Sequence, residues 1–415
     1  MKKFLLATIL TTAALAAAGC GGLTNTDWAT QLPDAGSSGA GDELQAALDR
    51  YAGALVSKDR DGFLSVIDAE NTDFTSRQDV LFSNLQAVPF QEYSITITSR
   101  SDAGGGTVLV KVNIAYTLAG SFSELPDPER AAYHMVRKED GWKLSGDASE
   151  QALGKKRATG LEDFGPVIVT EGEHVIVLSH PAQAGISAEA RDLSDSAYPR
   201  LTDTLPGLEL PKVPIRIFGG MGQIEQSYPG GWQEWTGGAS RPLGSTAGQG
   251  GEIIIDAGTF RETASYGTGY NGRMLAHELT HVALFPEQGS RTPPFLVEGL
   301  ADYVAGIEPV VLLREKMRSG ETFSPTLSDL YQPSGFSTLL STEAATLAYE
   351  EADLAVEYLV ITYGNEAVLD LLREFRKRSG EEIDQGQLVD EVFREVLGVG
   401  WSDFEDAWRD YVLRG

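Results

Sequence analysis

Apolar residues recur at two spacings in the first 150 residues, helical at the start and alternating later. Helical spacing predicts an amphipathic helix whose buried face is formed by Leu44, Ala47, Leu48, Tyr51 and Leu55. Alternation of apolar and polar residues predicts strands over residues 93–98, 107–117, 132–138 and 142–144. Helices that precede an antiparallel sheet form an α+β unit, which we place at residues 42–150.

The rest of the chain changes from strand patterns to helix patterns near residue 270. After a connector at residues 151–164, strands are predicted at residues 167–169, 175–178 and 213–218. Helical spacing then predicts helices at residues 273–285, 294–305, 342–363, 365–378, 386–397 and from 401 onward. Residues 165–415 therefore form a second domain, a mixed sheet followed by a mostly helical half, and the fold class is α+β. The polar stretch 319–341 is either a lid or an ordinary surface loop.

The first 19 residues carry the features of a signal peptide, because Lys2 and Lys3 precede an apolar run that ends in small residues. The run closes with Ala17-Ala18-Gly19-Cys20, which resembles the bacterial lipobox. This resemblance implies cleavage before Cys20, lipidation of its thiol, and a lipoprotein that is anchored to a membrane of the bacterial cell envelope and faces outside the cytoplasm. An ordinary cleaved secretory signal is the alternative. The composition of residues 20–41 predicts a flexible tether.

The charge of the chain narrows the choice of partners. Its 33 basic and 60 acidic side chains give a formal net charge of −27, with the acids spread along the sequence. An acidic chain is repelled by phosphate backbones, so the charge argues against nucleic acid as a partner and leaves the lipid anchor as the expected membrane contact. Because Cys20 is the only cysteine, the stability of the folded chain must come from packing.

A group of metal-ligating residue types marks the start of the helical half. His277 and His281 are four residues apart on a predicted helix, so their imidazoles project from the same face and can close on one cation. Catalytic zinc sites use three protein ligands and keep a fourth position for water. The helix that follows Pro293 carries Glu298, sixteen residues after His281. We therefore predict one Zn²⁺ held by His277, His281 and Glu298.

Two acidic residues beside these ligands have predicted supporting roles. Glu278 lies about 100° around the helix from His277, where it borders the metal without binding it, and this is the place for a general base. Asp302, one turn after Glu298, can accept the second ring N–H of a liganding histidine and fix its tautomer. The alternative is that these residues are ordinary polar positions of amphipathic helices.

His277-Glu278-x-x-His281 followed by Glu298-Gly299-x-Ala301-Asp302-Tyr303 resembles the gluzincin metallopeptidases, most closely the peptidase MA-like domains of bacterial exported proteins. The resemblance covers residues 160–415 and implies zinc on the two histidines and the second glutamate, with Glu278 as catalytic base. The spacing to the third ligand is shorter than in aminopeptidase-type gluzincins, and their Gly-Ala-Met-Glu-Asn motif is absent, so aminopeptidase specificity is not implied. The metzincin His-x-x-Gly-x-x-His continuation is also absent.

The same resemblance suggests two further assignments. In gluzincins the strand before the zinc helix is a sheet edge that lines the cleft, so Ile253, Ile254 and Ile255 are candidates for pairing with a substrate backbone, with a plain buried strand as the alternative. A tyrosine downstream of the third ligand can donate to the oxyanion, which makes Tyr349 a candidate catalytic residue; the alternative is a core or surface aromatic.

The N-terminal unit resembles the cone-shaped nuclear transport factor 2-like domains. The likeness lies in the order of its elements and in the closing strand at Trp142. We treat this unit as accessory. The histidines outside the metal motif, His134, His174 and His180, are interpreted as structural or surface residues.

These features predict a hydrolase: a membrane-anchored zinc metallopeptidase that cleaves peptide bonds through metal-activated water, with Glu278 as general base. Its expected partners are a peptide or protein substrate and the membrane. A non-catalytic surface binding or scaffold lipoprotein that retains a metallopeptidase fold is the alternative function. A zinc ion held only for structure is a third hypothesis, against which the presence of Glu278 counts.

Overall fold

The computed structural model of the chain describes residues 38–157, 159–228, 238–244, 249–266, 269–307, 312–336, 339 and 341–414. The predicted signal peptide, Cys20 and most of the tether lie outside these residues. Within them the predicted fold class is confirmed: the chain is α+β, with one antiparallel sheet, one mixed sheet and a helical C-terminal half.

The N-terminal unit packs three helices against an antiparallel sheet. The helices are α1 (Ser38–Ser57), α2 (Arg60–Ser65) and α3 (Thr72–Asn84), and α4 (Ser149–Leu153) follows the sheet. The strands, in sheet order, are β1 (Phe90–Gly104), β2 (Thr107–Leu118), β3 (Glu129–Lys138) and β4 (Gly141–Asp147). The apolar face predicted for the first helix is buried against this sheet, with Leu44, Ala47 and Leu48 at most 1% exposed.

The second sheet has a parallel centre and antiparallel edges. Its strands, in sheet order, are β5 (Ile168–Glu171), β6 (Val175–Ser179), β7 (Val213–Phe218), β9 (Gly251–Asp256) and β8 (Gly238–Pro242). Strands β6, β7 and β9 are parallel, while β5 and β8 run antiparallel to their neighbours. The central strands are buried on both faces, which explains their unbroken apolar runs in the sequence.

The prediction that Ile253, Ile254 and Ile255 form a sheet edge is wrong. These residues lie in β9, between β7 and β8, and Ile253 is in register with Ile215 on one side and with Ser240 on the other. Their side chains are fully buried. Because neighbouring strands occupy both edges of β9, its backbone cannot pair with a substrate. The edge strand on this side of the sheet is β8, whose Ser240 contacts Glu278.

The helical half surrounds the motif residues. The helices of the second domain are α5 (Ala184–Thr204), α6 (Met221–Ser227), α7 (Ala257–Thr263), α8 (Tyr270–Leu284), α9 (Pro294–Ala305), α10 (Leu312–Ser319), α11 (Leu327–Leu330), α12 (Thr342–Tyr363), α13 (Asn365–Lys377), α14 (Gln385–Leu397) and α15 (Trp401–Arg414). No helix in the described part of the chain combines the length and apolarity needed to cross a membrane. In the stretch predicted as a loop or lid, Leu327 and Leu330 are buried in the main core.

A buried carboxylate joins the two units. Glu252 on β9 is fully buried and accepts hydrogen bonds at 2.6 Å from Arg216 on β7 and from Arg241 on β8. Arg216 also donates to the hydroxyl of Tyr116 on β2, at 2.7 Å. Burial alone would raise the pKa of Glu252, but the two guanidinium groups lower it to about 2. The pairing therefore keeps a charged network inside the interface between the sheets.

The ligand helix α9 packs closely on α12 because Gly299 has no side chain. A Cβ atom at Gly299 would stand 2.2 Å from the carbonyl oxygen of Ala352, which is backbone and cannot swing away. The start and end of α9 are set by Pro294 in its first turn and by Gly306, whose φ of 66° ends the helix in the left-handed region. These two residues fix where α9 begins and ends, and with it the position of Glu298.

Gly299→Ala should destabilise the protein by about 1–3 kcal/mol, because the added methyl group forces α9 and α12 apart. The measurement is the midpoint and slope of urea unfolding. Gly53→Ala is the matched control, since Gly53 lies inside α1 with nothing within 4 Å of its Cβ position, and alanine there should stabilise by about 0.5–1 kcal/mol. Equal effects of the two substitutions would contradict the close packing at Gly299.

Candidate metal centre

Two consecutive helices bring two imidazoles and a carboxylate to one point. His277 and His281 lie one turn apart on α8, and their Nε2 atoms are 2.9 Å from each other. Glu298 on α9 places its Oε2 atom 3.5 Å from each of these nitrogens. All three residues are at most 5% exposed. Within the described ranges this is the only group of histidine, cysteine or acidic side chains arranged to hold a metal ion.

The donor set fits a divalent metal such as zinc. Zinc binds imidazole nitrogen and carboxylate oxygen at about 2.0–2.2 Å, so any two atoms that share one ion lie within about 4.4 Å of each other. The three distances among the Nε2 atoms of His277 and His281 and the Oε2 atom of Glu298 all meet this limit. Two nitrogens and one carboxylate oxygen make up the protein ligands of several catalytic zinc sites.

Asp302 sets the orientation of the first imidazole. Its Oδ1 atom is 2.7 Å from Nδ1 of His277. When Nδ1 carries a proton and donates it to this carboxylate, the Nε2 atom faces His281 and Glu298. Burial alone would lower the pKa of His277, but the carboxylates of Asp302 and Glu298 raise it well above its ordinary value. Burial alone would raise the pKa of Glu298, but the imidazoles of His281 and His277 hold it far below its ordinary value. Both shifts show that the buried carboxylates attract positive charge to this site, and a bound cation can supply that charge.

Glu278 lies beside the metal group with its own hydrogen-bond partner. The backbone N–H of Ser240, on the edge strand β8, donates to Oε2 of Glu278 at 2.8 Å. The Oε1 atom has no hydrogen-bond partner among the described residues. Burial raises the pKa of Glu278 above its usual value, although the imidazoles of His277 and His281 and the Ser240 N–H act in the opposite direction. A carboxylate with a raised pKa and one open oxygen has the properties of a general base.

Strand β8 and Ser240 were not predicted from the sequence. The strand reads Gly-Ala-Ser-Arg-Pro and follows a glycine-rich stretch, without the β-branched and aromatic residues typical of strands. Its one positional signal is Pro242, because proline within sheets is confined to edges and bulges. Ser240 acts through its backbone N–H, which every residue except proline has. The identity of the residue therefore gives no sign of this role.

Tyr349 and the other histidines lie in packed surroundings. Tyr349 on α12 is 6% exposed, and its ring packs edge-to-face against Phe336 with the centroids 5.1 Å apart. This is the environment of a core aromatic, and an oxyanion role for Tyr349 stays a prediction. His174 stacks on Tyr198 at 3.6 Å, and Nδ1 of His180 is 2.9 Å from the carbonyl oxygen of Pro166. Neither histidine belongs to the metal group.

Helix α12, which packs against the ligand helix α9, carries three buried carboxylates. Glu350, Glu351 and Asp353 are at most 5% exposed, and Glu350 accepts from the backbone N–H groups of Leu312 and Leu313. Burial raises the pKa of Glu350 to about 7 and that of Asp353 to about 9. At neutral pH Asp353 is therefore protonated, and it adds no negative charge next to Asp302.

Asp302→Asn should lower the affinity of the protein for Zn²⁺ by about 10–100-fold, because the imidazole of His277 loses the carboxylate that orients it. Competition with a chromophoric chelator measures this affinity. Asp353→Asn is the matched control: Asp353 lies outside the ligand group and is protonated at neutral pH, so asparagine leaves its charge unchanged and zinc affinity should stay within about twofold. Unchanged zinc affinity in Asp302→Asn would contradict the assignment of Asp302.

Comparison with known proteins gives distant structural similarities. No protein-family model matches the chain, and neither does any curated protein. An M1 zinc metallopeptidase from Deinococcus radiodurans aligns with 77% of this chain and 60% of its own length, at 15% identity and a TM-score of 0.29. A protein of unknown function from Mycobacterium tuberculosis aligns with 25% of this chain and 65% of its own, at 12% identity and a TM-score of 0.21. At these TM-scores neither similarity establishes a family for the chain.

Proposed function

We propose that the protein is a zinc-dependent peptidase that acts outside the cytoplasm. The observation that carries the proposal is the convergence of His277, His281 and Glu298 in a buried site, with Glu278 directly beside them. Two imidazoles and a carboxylate supply the ligands, and the adjacent carboxylate supplies the base, which together are the parts that metal-assisted hydrolysis requires. A metal held only for structure requires no such base.

The chemistry divides between the metal and Glu278. A zinc ion held by His277, His281 and Glu298 would supply polarisation of a substrate carbonyl and a lowered pKa of water, which would allow hydrolysis at neutral pH. Glu278 takes the proton of the attacking water on its open Oε1 atom, while the Ser240 N–H holds Oε2 in place. Glu278 then gives that proton to the leaving amine. Asp302 keeps His277 oriented through the reaction.

The edge of β8 supports a peptide as the substrate. In the described sheet, β8 has a neighbouring strand on one side only, and the Ser240 N–H points to the other side, toward Glu278. An extended peptide can add to such an edge as a further strand, held by backbone hydrogen bonds that do not depend on its sequence. This arrangement brings the backbone of a peptide alongside the base.

The cellular context belongs to the same proposal. The lipobox-like sequence before Cys20 supports a lipid anchor at this residue, with the tether at residues 20–41 between the anchor and the folded domains. The proposed partners are a peptide or protein substrate and the membrane that carries the anchor.

Glu278→Gln should abolish peptide cleavage while the protein keeps its metal. Loss of the base lowers kcat by about 10²–10⁴-fold, and glutamine still accepts the Ser240 N–H. The measurement is mass spectrometry of a diverse peptide mixture after incubation with the zinc-loaded protein. Glu225→Gln, at an exposed position of α6, is the matched control and should cleave as the unchanged protein does. If no variant cleaves although each holds one zinc ion, the peptidase proposal fails in favour of a non-catalytic binding protein.

Ser240→Pro tests the hydrogen bond to the base, because proline is the one substitution that removes the backbone N–H. We expect kcat/KM to fall by about 10–100-fold, the effect of losing a hydrogen bond to a charged group. That bond lowers the pKa of Glu278, so its loss raises the pKa and shifts the acid limb of the pH profile toward higher pH. Ser240→Ala keeps the N–H and should show neither change. An unshifted acid limb in Ser240→Pro, with zinc content and thermal stability retained, would count against this role.

A further inference from the structure

A cavity of about 650 Å³ lies where the N-terminal unit meets the end of strand β8. Most of its wall comes from α1, α3 and the strands of the N-terminal sheet. The connector adds Arg157, Glu162 and Asp163 to the wall. The end of β8 and the turn after it add residues 241–244. Cavities of about 300–1,000 Å³ are the size that binds small molecules or a few side chains. The mechanism proposed above makes no use of this space.

Four tyrosines contribute to the wall of the cavity: Tyr51, Tyr93, Tyr116 and Tyr133. The rings of Tyr93 and Tyr116 are stacked, with an interplanar angle of 6°. The Tyr51 hydroxyl donates to Gln78 at 2.8 Å, whereas the Tyr133 hydroxyl has no hydrogen-bond partner in the described part of the chain, although the residue is only 8% exposed. Tyr133 lines the cavity, so its hydroxyl is available to a polar atom of an occupant.

The charged groups of the lining favour a cation. Five carboxylates line the cavity, Asp127, Glu129, Asp147, Glu162 and Asp163, against three guanidinium groups, Arg77, Arg157 and Arg241. Two of these guanidinium groups are held in ion pairs at 2.6 Å, Arg157 with Asp163 and Arg241 with Glu252. Because the carboxylates of the lining outnumber its guanidinium groups, the cavity attracts a guanidinium or ammonium group.

The cavity continues the line of the edge strand that holds the base. Ser240 contacts Glu278, and Leu243, three residues further along the chain, lines the cavity. At about 3.3 Å per residue, three residues of extended chain span about 10 Å. A peptide added to β8 therefore reaches the cavity about three or four residues from the position of Glu278.

We propose that this cavity is a specificity site that binds an arginine or lysine side chain of the peptide substrate, about three or four residues from the cleaved bond. The proposal rests on the proposed peptidase function, since the substrate is the occupant. It assigns the N-terminal unit and the connector after it a direct part in substrate selection, with the Glu162 carboxylate and the Tyr133 hydroxyl as the groups that bind the basic side chain.

The test uses decapeptides of one neutral sequence in which a single arginine, glutamine or glutamate is moved from position to position. With the zinc-loaded protein, arginine three or four residues from the cleaved bond should raise kcat/KM about tenfold over glutamine, and glutamate should lower it. Glu162→Gln should reduce this preference to about twofold or less. Glu92→Gln is the matched control, an exposed carboxylate on β1 outside the cavity, and it should keep the preference.

Calorimetric binding of the same peptides to the Glu278→Gln protein separates this proposal from the peptidase function. Preferred binding of arginine peptides, weakened by Glu162→Gln and by Tyr133→Phe but not by Glu92→Gln, supports the cavity even if the unchanged protein cuts nothing. Cleavage without any preference for arginine, together with binding that neither cavity variant changes, overturns the cavity proposal and leaves the peptidase intact. If Tyr133→Phe fails to fold, the result with Glu162→Gln decides, because the Glu162 side chain is partly exposed.

Discussion

The burial of five ionisable side chains at one place constrains the structure around them. His277, Glu278, His281, Glu298 and Asp302 are each at most 5% exposed, and burying charges without partners costs several kcal/mol for each group. The fold meets this constraint by pairing them closely, with Asp302 on one imidazole, Glu298 between both imidazoles and a backbone N–H on Glu278. These pairings require α8, α9 and β8 to hold fixed positions relative to one another.

The packing of the surrounding elements follows from that requirement. Helix α9 carries two of the five groups, and the absence of a side chain at Gly299 lets it lie directly against the backbone of α12. Strand β8 carries the Ser240 N–H, and Glu252 binds it from the neighbouring strand through Arg241. The same Glu252 binds Arg216, which reaches Tyr116 of the N-terminal unit. One chain of ion pairs and hydrogen bonds therefore runs from the interface between the units to the strand that contacts Glu278.

Sequence patterns were sufficient for the parts of the site that lie on helices. Residues four apart on a helix project from the same face, and this rule identified the pair His277 and His281. Glu298 was identified as a carboxylate on the helix that follows. Strand β8 escaped prediction because its role depends on backbone atoms and on sheet order, and neither leaves a side-chain pattern. The assignment of Ile253 to Ile255 as an edge failed for a related reason. A buried central strand and a substrate-binding edge strand can carry the same apolar residues, and only the pairing on both sides distinguishes them.

The division of the chain into an accessory unit and a peptidase domain also depends on information that lies outside local patterns. Leu161, in the predicted connector, is 1% exposed and packs in the core cluster of the N-terminal unit, and Ile176, Phe218 and Ile254 of the second sheet belong to that same cluster. Two domains that share apolar core residues and a buried ion network do not move as independent bodies at low cost, since separation would expose both. Strand β8 pairs with β9, holds Glu278 and lines the cavity of the N-terminal unit. Strand β8 therefore links the N-terminal unit directly to Glu278, and together with the shared core this is the physical reason to treat the two units as one body.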